Sequence, residues 1–544
     1  MTSVQSHWTD WLDGLGDRLQ TVVNGRSVPL SLHDDDAVTN GLRSLSVSGL
    51  SADSRNISPG DAFLALPGLS HHGLDYLSQV ESSAAAVIAD ADDERAHQVQ
   101  TKKPLVLIHG LVDDLGQIVS AWYRNPTESI PVCGITGTDG KTSTAWFVAS
   151  LLRAMGRKAG YIGTIGWGID ATLAPNPLTT PPVPDLQRML AGMREGGAEF
   201  IVMEVSSHAL VQGRVDGVWF DVAALTNLGR DHLDYHGTLE NYKAAKKTLF
   251  EWPGLSAAIV NLDDEFGLEI ADSSFPASTR LWGYSRHIET KPLQQNLSDD
   301  GLLRADDVVT DQTGVAFTLI AGNESWRLHV GLLGKFNVSN ILAALSVIRA
   351  FGIPLSQAVA ALDSVVPVPG RMETFTQPGK PVVVVDFAHT PQALQSALET
   401  AREHCSGKLW VVFGCGGDRD PGKRPQMGVV AFNIADRVVV TDDNPRSEQS
   451  LEIIGDIVDG ISTVTDTVSV GDTHVASQVQ LSENVWAIAN RRDAIEHACS
   501  HAGDGDWVLV AGKGHEDYQI VGAERHYFSD RDIARDLVTA GVAS

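Results

Sequence analysis

Cysteine is scarce in this chain of 544 residues: Cys133, Cys405, Cys415 and Cys499 are the 4, scattered and without a CxxC pair. That spacing argues against a disulfide framework or a paired-cysteine zinc site, and each thiol reads as a small core or loop residue. Long apolar runs are missing too. No stretch reaches the roughly 18 apolar residues that a membrane-crossing helix needs. The opening MTSVQSHWTDWLDGLGDRL lacks the basic start and apolar run of a signal peptide. A reducing, cytoplasmic setting with no membrane partner is expected. Positive charge is the third shortage, with 41 Lys and Arg against 68 Asp and Glu and a formal net charge of -27. Nonspecific binding to nucleic acid or anionic lipid requires the opposite sign, so no nucleic-acid partner is expected. An acidic protein that handles phosphates must gather its basic residues in local motifs. There is no repeat, low-complexity tract or long run of like charge.

What is present is an ordinary globular balance, 43% hydrophobic and 20% charged. The length exceeds what one core supports and suggests about three domains. Residues 1–128 read as a small mixed α/β unit, with strand-like AFLALPG at 62–68 and AAAVIAD at 84–90. YRNPTESIP then punctuates the chain as a linker. Over 129–368, apolar strands (PVCGIT, FIVMEV, DVAALTNL, AAIVNL) alternate with helical stretches such as 141–155, the pattern of a parallel sheet covered on both faces. A second boundary falls near VVPVPGR at 365–371, leaving 369–544 as a third α/β domain. There PVVVVDF, LWVVFG, DRVVVTD and WVLVAG each run straight into a polar or Gly-rich segment. Ligands of open α/β sheets bind at the carboxyl ends of strands, so AHT, CGGDRD, DNPR and KGHE should share one edge. Thr390 before Pro391 predicts a helix start. The polar stretch 466–485 reads as surface.

The strongest local signal is GITGTDGKTS at 134–143, spaced GxxGxxGKT between an apolar strand and a helix. Glycines let backbone N–H groups wrap a polyphosphate, Lys141 neutralises its oxygens, and Thr142 can hold Mg²⁺. Glu204 ends the strand FIVMEV, where a carboxylate beside a phosphate loop suits a hard cation; it could also cap a helix or pair with Arg. Read alone, His232 is more often a structural residue. Lys246 could be a cation on phosphate or a neutral amine able to capture CO₂, and residue types do not separate the two.

GITGTDGKTS resembles the Mur ligase family, whose members join an amino acid to UDP-N-acetylmuramoyl peptides. The resemblance continues through TTP (179–181), EVSSHAL (204–210), TNLGRDHLDYHG (226–237), YKAAK (242–246), GRME (370–373), DFAHTP (386–391), GCGGDRD (414–420), DDNPR (442–446) and GKGHEDYQIVG (512–522). It spans the chain from about Asp53 onward and is nearest to the members that add diaminopimelate. It implies an N-terminal UDP-binding α/β domain, a central P-loop-type parallel-sheet ATPase domain and a C-terminal Rossmann-like domain.

Residue by residue, the resemblance implies catalytic Lys141, Glu204, His232 and Lys246, the last as N6-carboxylysine, with Thr142, Glu204, His232 and Lys246 around Mg²⁺. His208 and His236 keep a structural reading, and Lys243 and Lys247 a solvated one. ATP contacts fall on Gly137, Thr138, Asp139, Gly140, Lys141, Thr142, Ser143, Asn337, Asn340, Arg371 and Asp386. The UDP-muramoyl dipeptide falls on Ser54, Leu69, Ser70, His71, Thr179, Thr180, Ser206, Gln212 and Arg214, with Leu178 where near relatives often carry Asn. Diaminopimelate falls on Arg419, Asp443, Asn444, Pro445, Arg446, Gly512 and Glu516. A guanidinium can bind the extra carboxylate of diaminopimelate through two charge-assisted hydrogen bonds, which lysine cannot supply.

The implied reaction is ATP-dependent addition of meso-2,6-diaminopimelate to UDP-N-acetylmuramoyl-L-alanyl-D-glutamate through an acyl phosphate, in peptidoglycan precursor synthesis, by a cytoplasmic monomer. A lysine-adding ligase, a folylpolyglutamate synthase and an inactive nucleotide-binding scaffold are the competing readings. Lys141→Ala is expected to abolish turnover in a coupled phosphate-release assay; near-normal turnover would reject the assigned ATP site.

Overall fold

The computed structural model describes residues 2–23, 26–29, 36–68, 70–170, 172–287, 297, 301–468 and 478–539. It is mixed α/β with mostly parallel sheets, and divides into two compact units. The first holds Met1–Lys141, Gly156–Val260 and Asp264–Leu281; the second holds Thr142–Met155, Asn261–Asp263 and Trp282–Ser544.

The first unit contains two sheets. The N-terminal one has six strands in the order 26–29, 19–23, 105–108, 86–90, 62–65, 50–51. Strands Ala62–Ala65, Ala86–Asp90 and Leu105–Ile108 run parallel and are buried throughout. Trp8, Trp11 and Trp122 pack beside this sheet with Leu12, Val106 and Ile118. In the other sheet, Ala159–Gly163, Phe200–Glu204, Val132–Thr136, Val222–Leu225 and Ala257–Asn261 are adjacent in that order and all parallel. The four strands other than Ala159–Gly163 are the apolar runs expected in the sequence. Each of the five is buried along its whole length, as a sheet covered on both faces requires.

In the second unit, Leu302–Asp311, Gly314–Ala321 and Glu324–Val330 form an antiparallel meander. A seven-stranded sheet follows, ordered 373–375, 382–386, 507–511, 409–413, 437–440, 485–488, 478–482. Its five inner strands are parallel, so the four expected polar segments do open from one edge. The period-two alternation of strands buries both faces. Val384, Val411, Val438 and Leu509 pack with Leu398, Met427 and Ile457, whereas Val385, Val412, Val439 and Val510 pack with Ile495 and Ile533. Thr390 caps the helix Pro391–His404 by accepting from Ala393 N–H at 3.3 Å, as the Thr-Pro pair predicts.

One expectation needs correction. The stretch 466–485 is not all surface: Val468 and Val485 are buried in the core and Gln478–Ser482 is an edge strand, because the closing hairpin needs apolar anchors. Residues 469–477 lie outside the described residues.

The deepest ion pair ties this edge together. Arg491 and Asp530 are both fully buried, joined by Nε to Oδ1 at 2.9 Å and Nη2 to Oδ2 at 2.7 Å. The guanidinium also donates to the Asp442 carbonyl at 3.0 Å and the Ala511 carbonyl at 2.9 Å, at the ends of two strands. Asp530→Ala strands a buried cation, so it is expected to cost about 3–5 kcal/mol, read as a lower urea midpoint. Arg491→Met with Asp530→Leu should cost much less.

Candidate functional site

The phosphate loop starts where Val132–Thr136 ends. Gly137 has φ +148° and Gly140 φ +80°, and a Cβ on Gly137 would lie 1.9 Å from Thr226 Oγ1. Only glycine fits so close an approach. The loop is anchored by Thr138 N–H on the Asn227 carbonyl at 2.9 Å and Asp139 N–H on Asn227 Oδ1 at 2.9 Å. Lys141 opens the helix Lys141–Ala154, and its amine bends back onto the carbonyls of Gly137 and Thr138, both at 2.8 Å. Thr142, the next residue, is buried on the first turn.

Lys246 reaches the same Gly137 carbonyl from the helix Leu239–Lys247, with Nζ to O at 2.7 Å. Its side chain is buried, with the amine 4.4 Å from the Tyr242 ring centroid. Desolvation first, and the Lys141 charge second, push its pKa from 10.5 down to about 6. This favours a neutral amine at neutral pH.

Glu204 stands opposite Ile135 in the parallel pairing of its strand with Val132–Thr136, and is fully buried. Its carboxylate accepts from Tyr161 Oη at 2.8 Å, Thr164 N–H at 2.8 Å and Thr164 Oγ1 at 3.2 Å. Thr179 joins this network through Thr164 Oγ1 at 3.1 Å, and Thr180 Oγ1 donates to the Glu204 carbonyl at 2.8 Å. Ser206 caps Ser207–Val211 and donates its N–H to Thr180 Oγ1 at 3.1 Å. Arg214 closes the group by donating to the Thr180 carbonyl at 3.0 Å and to Gln212 Oε1 at 2.9 and 2.6 Å. The five expected muramoyl-peptide residues from 179 to 214 therefore form one connected set around Glu204.

His232 sits half-exposed at φ +53°. The His208 ring packs 4.8 Å from it and 5.4 Å from the ring of His236, which bonds Ser207 Oγ at 3.0 Å. Burial chiefly, and the neighbouring imidazoles next, lower the pKa of His208 and His236. Among the described residues no group of three or more His, Cys, Asp or Glu could hold a metal, and the expected set contains only two of those types, Glu204 and His232. Lys243, expected in solvent, is partly exposed and pairs at the surface with Glu269 at 2.6 Å. Of the uridine-site candidates, Ser54 is half-buried and Ser70 and His71 are exposed on loops, and Leu69 lies outside the described residues.

In the second unit, the Asn337 side chain donates to the Leu333 carbonyl at 2.8 Å and accepts from Asn340 at 2.9 Å. Asp386 accepts from Met372 N–H and Ala388 N–H at 2.8 and 2.9 Å, while desolvation raises its pKa. Arg371 Nε is buried without a hydrogen-bond partner among the described residues. A Cβ on Gly370 would meet Gly514 C and His515 N at 2.1 Å, so the GRME turn presses directly on the GKGHE loop.

The expected amino-acid residues converge at the strand ends. A Cβ on Gly416 would lie 2.9 Å from Arg446 Nη1 and 3.6 Å from Arg419 Cγ, so both arginines pass the same point. Arg446 Nη1 donates to the Gly417 carbonyl at 2.7 Å. Its backbone, at φ +53°, is clasped by the hairpin Tyr518–Val521/Glu524–Tyr527: Arg446 N–H donates to the Ile520 carbonyl at 3.1 Å, and Gly522 N–H donates to the Arg446 carbonyl at 2.7 Å. Asn444 Nδ2 donates to Glu516 Oε2 at 3.3 Å, and its Oδ1 accepts from Ile520 N–H at 2.9 Å.

Comparison with known proteins follows this geometry. Residues 46–123 match the Mur ligase family catalytic domain, 135–348 the Mur ligase middle domain, and 370–514 the Mur ligase glutamate ligase domain. The UDP-N-acetylmuramoyl-L-alanyl-D-glutamate--2,6-diaminopimelate ligase of Pseudomonas putida is 41% identical over 492 residues, covering 90% of this chain and 95% of that protein. The chain belongs to the Mur ligase family. The ligase of the same name from Alkalilimnicola ehrlichii is 43% identical, covering 89% and 93%. A solved structure of a ligase of that name matches with a TM-score of 0.64 at 33% identity, over 91% of this chain and 95% of that one.

Three side chains of this Mur ligase escaped the sequence reading. Arg491 is described above. Arg424, only 3% exposed, holds Glu448 at 2.9 and 2.8 Å and Asp456 at 2.9 Å. Lys513 lies beside Asp443, Asn444 and Glu516. Lys513 carried a signal, a lysine enclosed by glycines inside a matched motif; the two arginines lie outside any motif.

The depressed pKa of Lys246 has a consequence for stability. Between about 6 and 10.5 the unfolded chain binds a proton here that the folded chain does not, so stability should rise with pH across that window and the penalty should be greatest below it. Lys246→Met is expected to flatten this slope, read as urea midpoints from pH 6.5 to 9 in buffer free of bicarbonate.

Proposed function

We propose that this chain is an ATP-dependent amide-forming ligase that adds meso-2,6-diaminopimelate to UDP-N-acetylmuramoyl-L-alanyl-D-glutamate, the substrates named for its relatives. The observation that carries the reading is the convergence of Arg419 and Arg446 at Gly416, on the edge where Glu516 also stands. The Arg446 guanidinium at this point, with the Arg419 stem passing beside it, suits a substrate side chain that ends in a carboxylate.

The precursor's free side-chain carboxylate attacks the γ-phosphorus of ATP, whose bond to the β,γ-bridging oxygen breaks and releases ADP. Lys141, at the end of the loop 137–140, offsets the phosphate charge. The resulting acyl phosphate is attacked by the amine of diaminopimelate, giving amide and phosphate. Catalysis is by positioning and charge, so no Ser or Cys nucleophile is required. Thr179, Thr180, Ser206, Gln212 and Arg214 hold the peptide end of the precursor, with Ser54, Ser70 and His71 toward the uridine. Asn337, Arg371 and Asp386 keep their reading as nucleotide contacts.

The donor set fits Mg²⁺. Glu204 is a fully buried carboxylate, and Lys246 is a buried amine driven toward neutrality, the state that can capture CO₂ and become an oxygen donor. Glu204, His232, carbamylated Lys246 and Thr142 would hold the ion, which when bound supplies charge neutralisation at the phosphates. Functional borders at 1–128, 129–368 and 369–544 are supported by the three family segments falling within them. Among the described residues no helix is long and apolar enough to cross a membrane. A monomer working in the cytoplasm is part of the proposal.

The test is competition. Purified protein given ATP, the precursor and equal diaminopimelate and lysine should form the diaminopimelate product almost alone by mass spectrometry, and Arg446→Lys should erode that preference by on the order of 100-fold. Equal use of lysine, or no amide at all, defeats the reading.

A further inference from the structure

The amino-acid edge holds a cation that the proposed chemistry leaves without a role. Lys513 is 0% exposed, and its Nζ stands 3.4 Å from Asp443 Oδ1, 3.4 Å from Glu516 Oε2 and 3.1 Å from Asn444 Oδ1. The Tyr518 ring centroid lies 5.5 Å away. Desolvating an ammonium this completely is expensive, and removing it would leave two carboxylates close together. The nearby carboxylate of Glu448 is paired with Arg424, whereas that of Asp418, bonded to the neutral Ser447 hydroxyl, keeps its charge beside Arg419 and Arg446. The charges facing the site are therefore Arg419, Arg446 and Lys513 against Asp418, Asp443 and Glu516, a sum of zero.

That sum bears on which amino acid is accepted. The far end of diaminopimelate carries an ammonium and a carboxylate and is neutral overall; the far end of lysine carries an ammonium alone. We propose that Lys513 is a specificity-determining residue whose buried charge offsets Asp443 and Glu516, keeping the pocket from turning net negative so that a side chain ending in a lone ammonium is not favoured. Without Lys513, Asp443 and Glu516 form an uncompensated acidic pair, which attracts lysine and weakens the hold of the arginines on the distal carboxylate. The inference rests on the amino-acid assignment proposed above. A lysine serving only as a strut would lower the use of both amino acids together.

The experiment measures kcat/KM for diaminopimelate and for lysine in four proteins, with folding checked by circular dichroism. Lys513→Met should lower the diaminopimelate-to-lysine ratio by on the order of 10- to 100-fold. Asp443→Asn, which makes the pocket more positive, should raise the ratio. Lys513→Met with Asp443→Asn, which returns the sum to its original value, should bring the ratio back toward wild type. A ratio unmoved by Lys513→Met, or by Asp443→Asn if the first variant does not fold, overturns the inference. Failure of the wild-type protein to prefer diaminopimelate would instead sink the assignment on which it rests.

Discussion

A single carbonyl oxygen, that of Gly137, receives two lysine nitrogens, Lys141 at 2.8 Å and Lys246 at 2.7 Å. Two ammonium groups on one acceptor repel, and one of them is out of reach of water. Burial first, and this repulsion second, push Lys246 toward the neutral amine. The glycine is required because Thr226 fills the space where a side chain would be. Loop geometry, the adjacent strand carrying Thr226 and the chemistry of both lysines thus follow from one crowded point.

The same logic of crowding governs the third sheet. Gly370 and Gly514 touch backbone to backbone, and Gly417 approaches the Pro445 carbonyl so closely that a Cβ would lie 1.9 Å from it. These contacts draw the GRME, GGDRD, DNPR and GKGHE segments onto one edge. The net charge of -27 is no obstacle to handling acidic ligands, because the basic side chains at this edge are held in place by buried carboxylates and carbonyls.

Much of this was legible in the sequence, for a local reason. A continuous apolar strand that breaks into glycine and charge announces both an element and its functional end, which is why Glu204, Lys141, Arg419 and Arg446 could be placed on strand ends. The capping of Pro391–His404 by Thr390 is equally local. The unreadable part was pairing at a distance. Arg491 reaches Asp530, thirty-nine positions on, and Lys513 reaches Asp443, seventy positions back; nothing around either residue names its partner.

The clasp on Arg446 has an implication for how such a site comes into being. Its positive φ is held from both sides by Ile520 and Gly522, which follow it by more than seventy positions. During synthesis the phosphate loop leaves the ribosome long before that hairpin does. Until residues 520–522 have been made and folded down, a nascent chain holds Arg446 without this clasp.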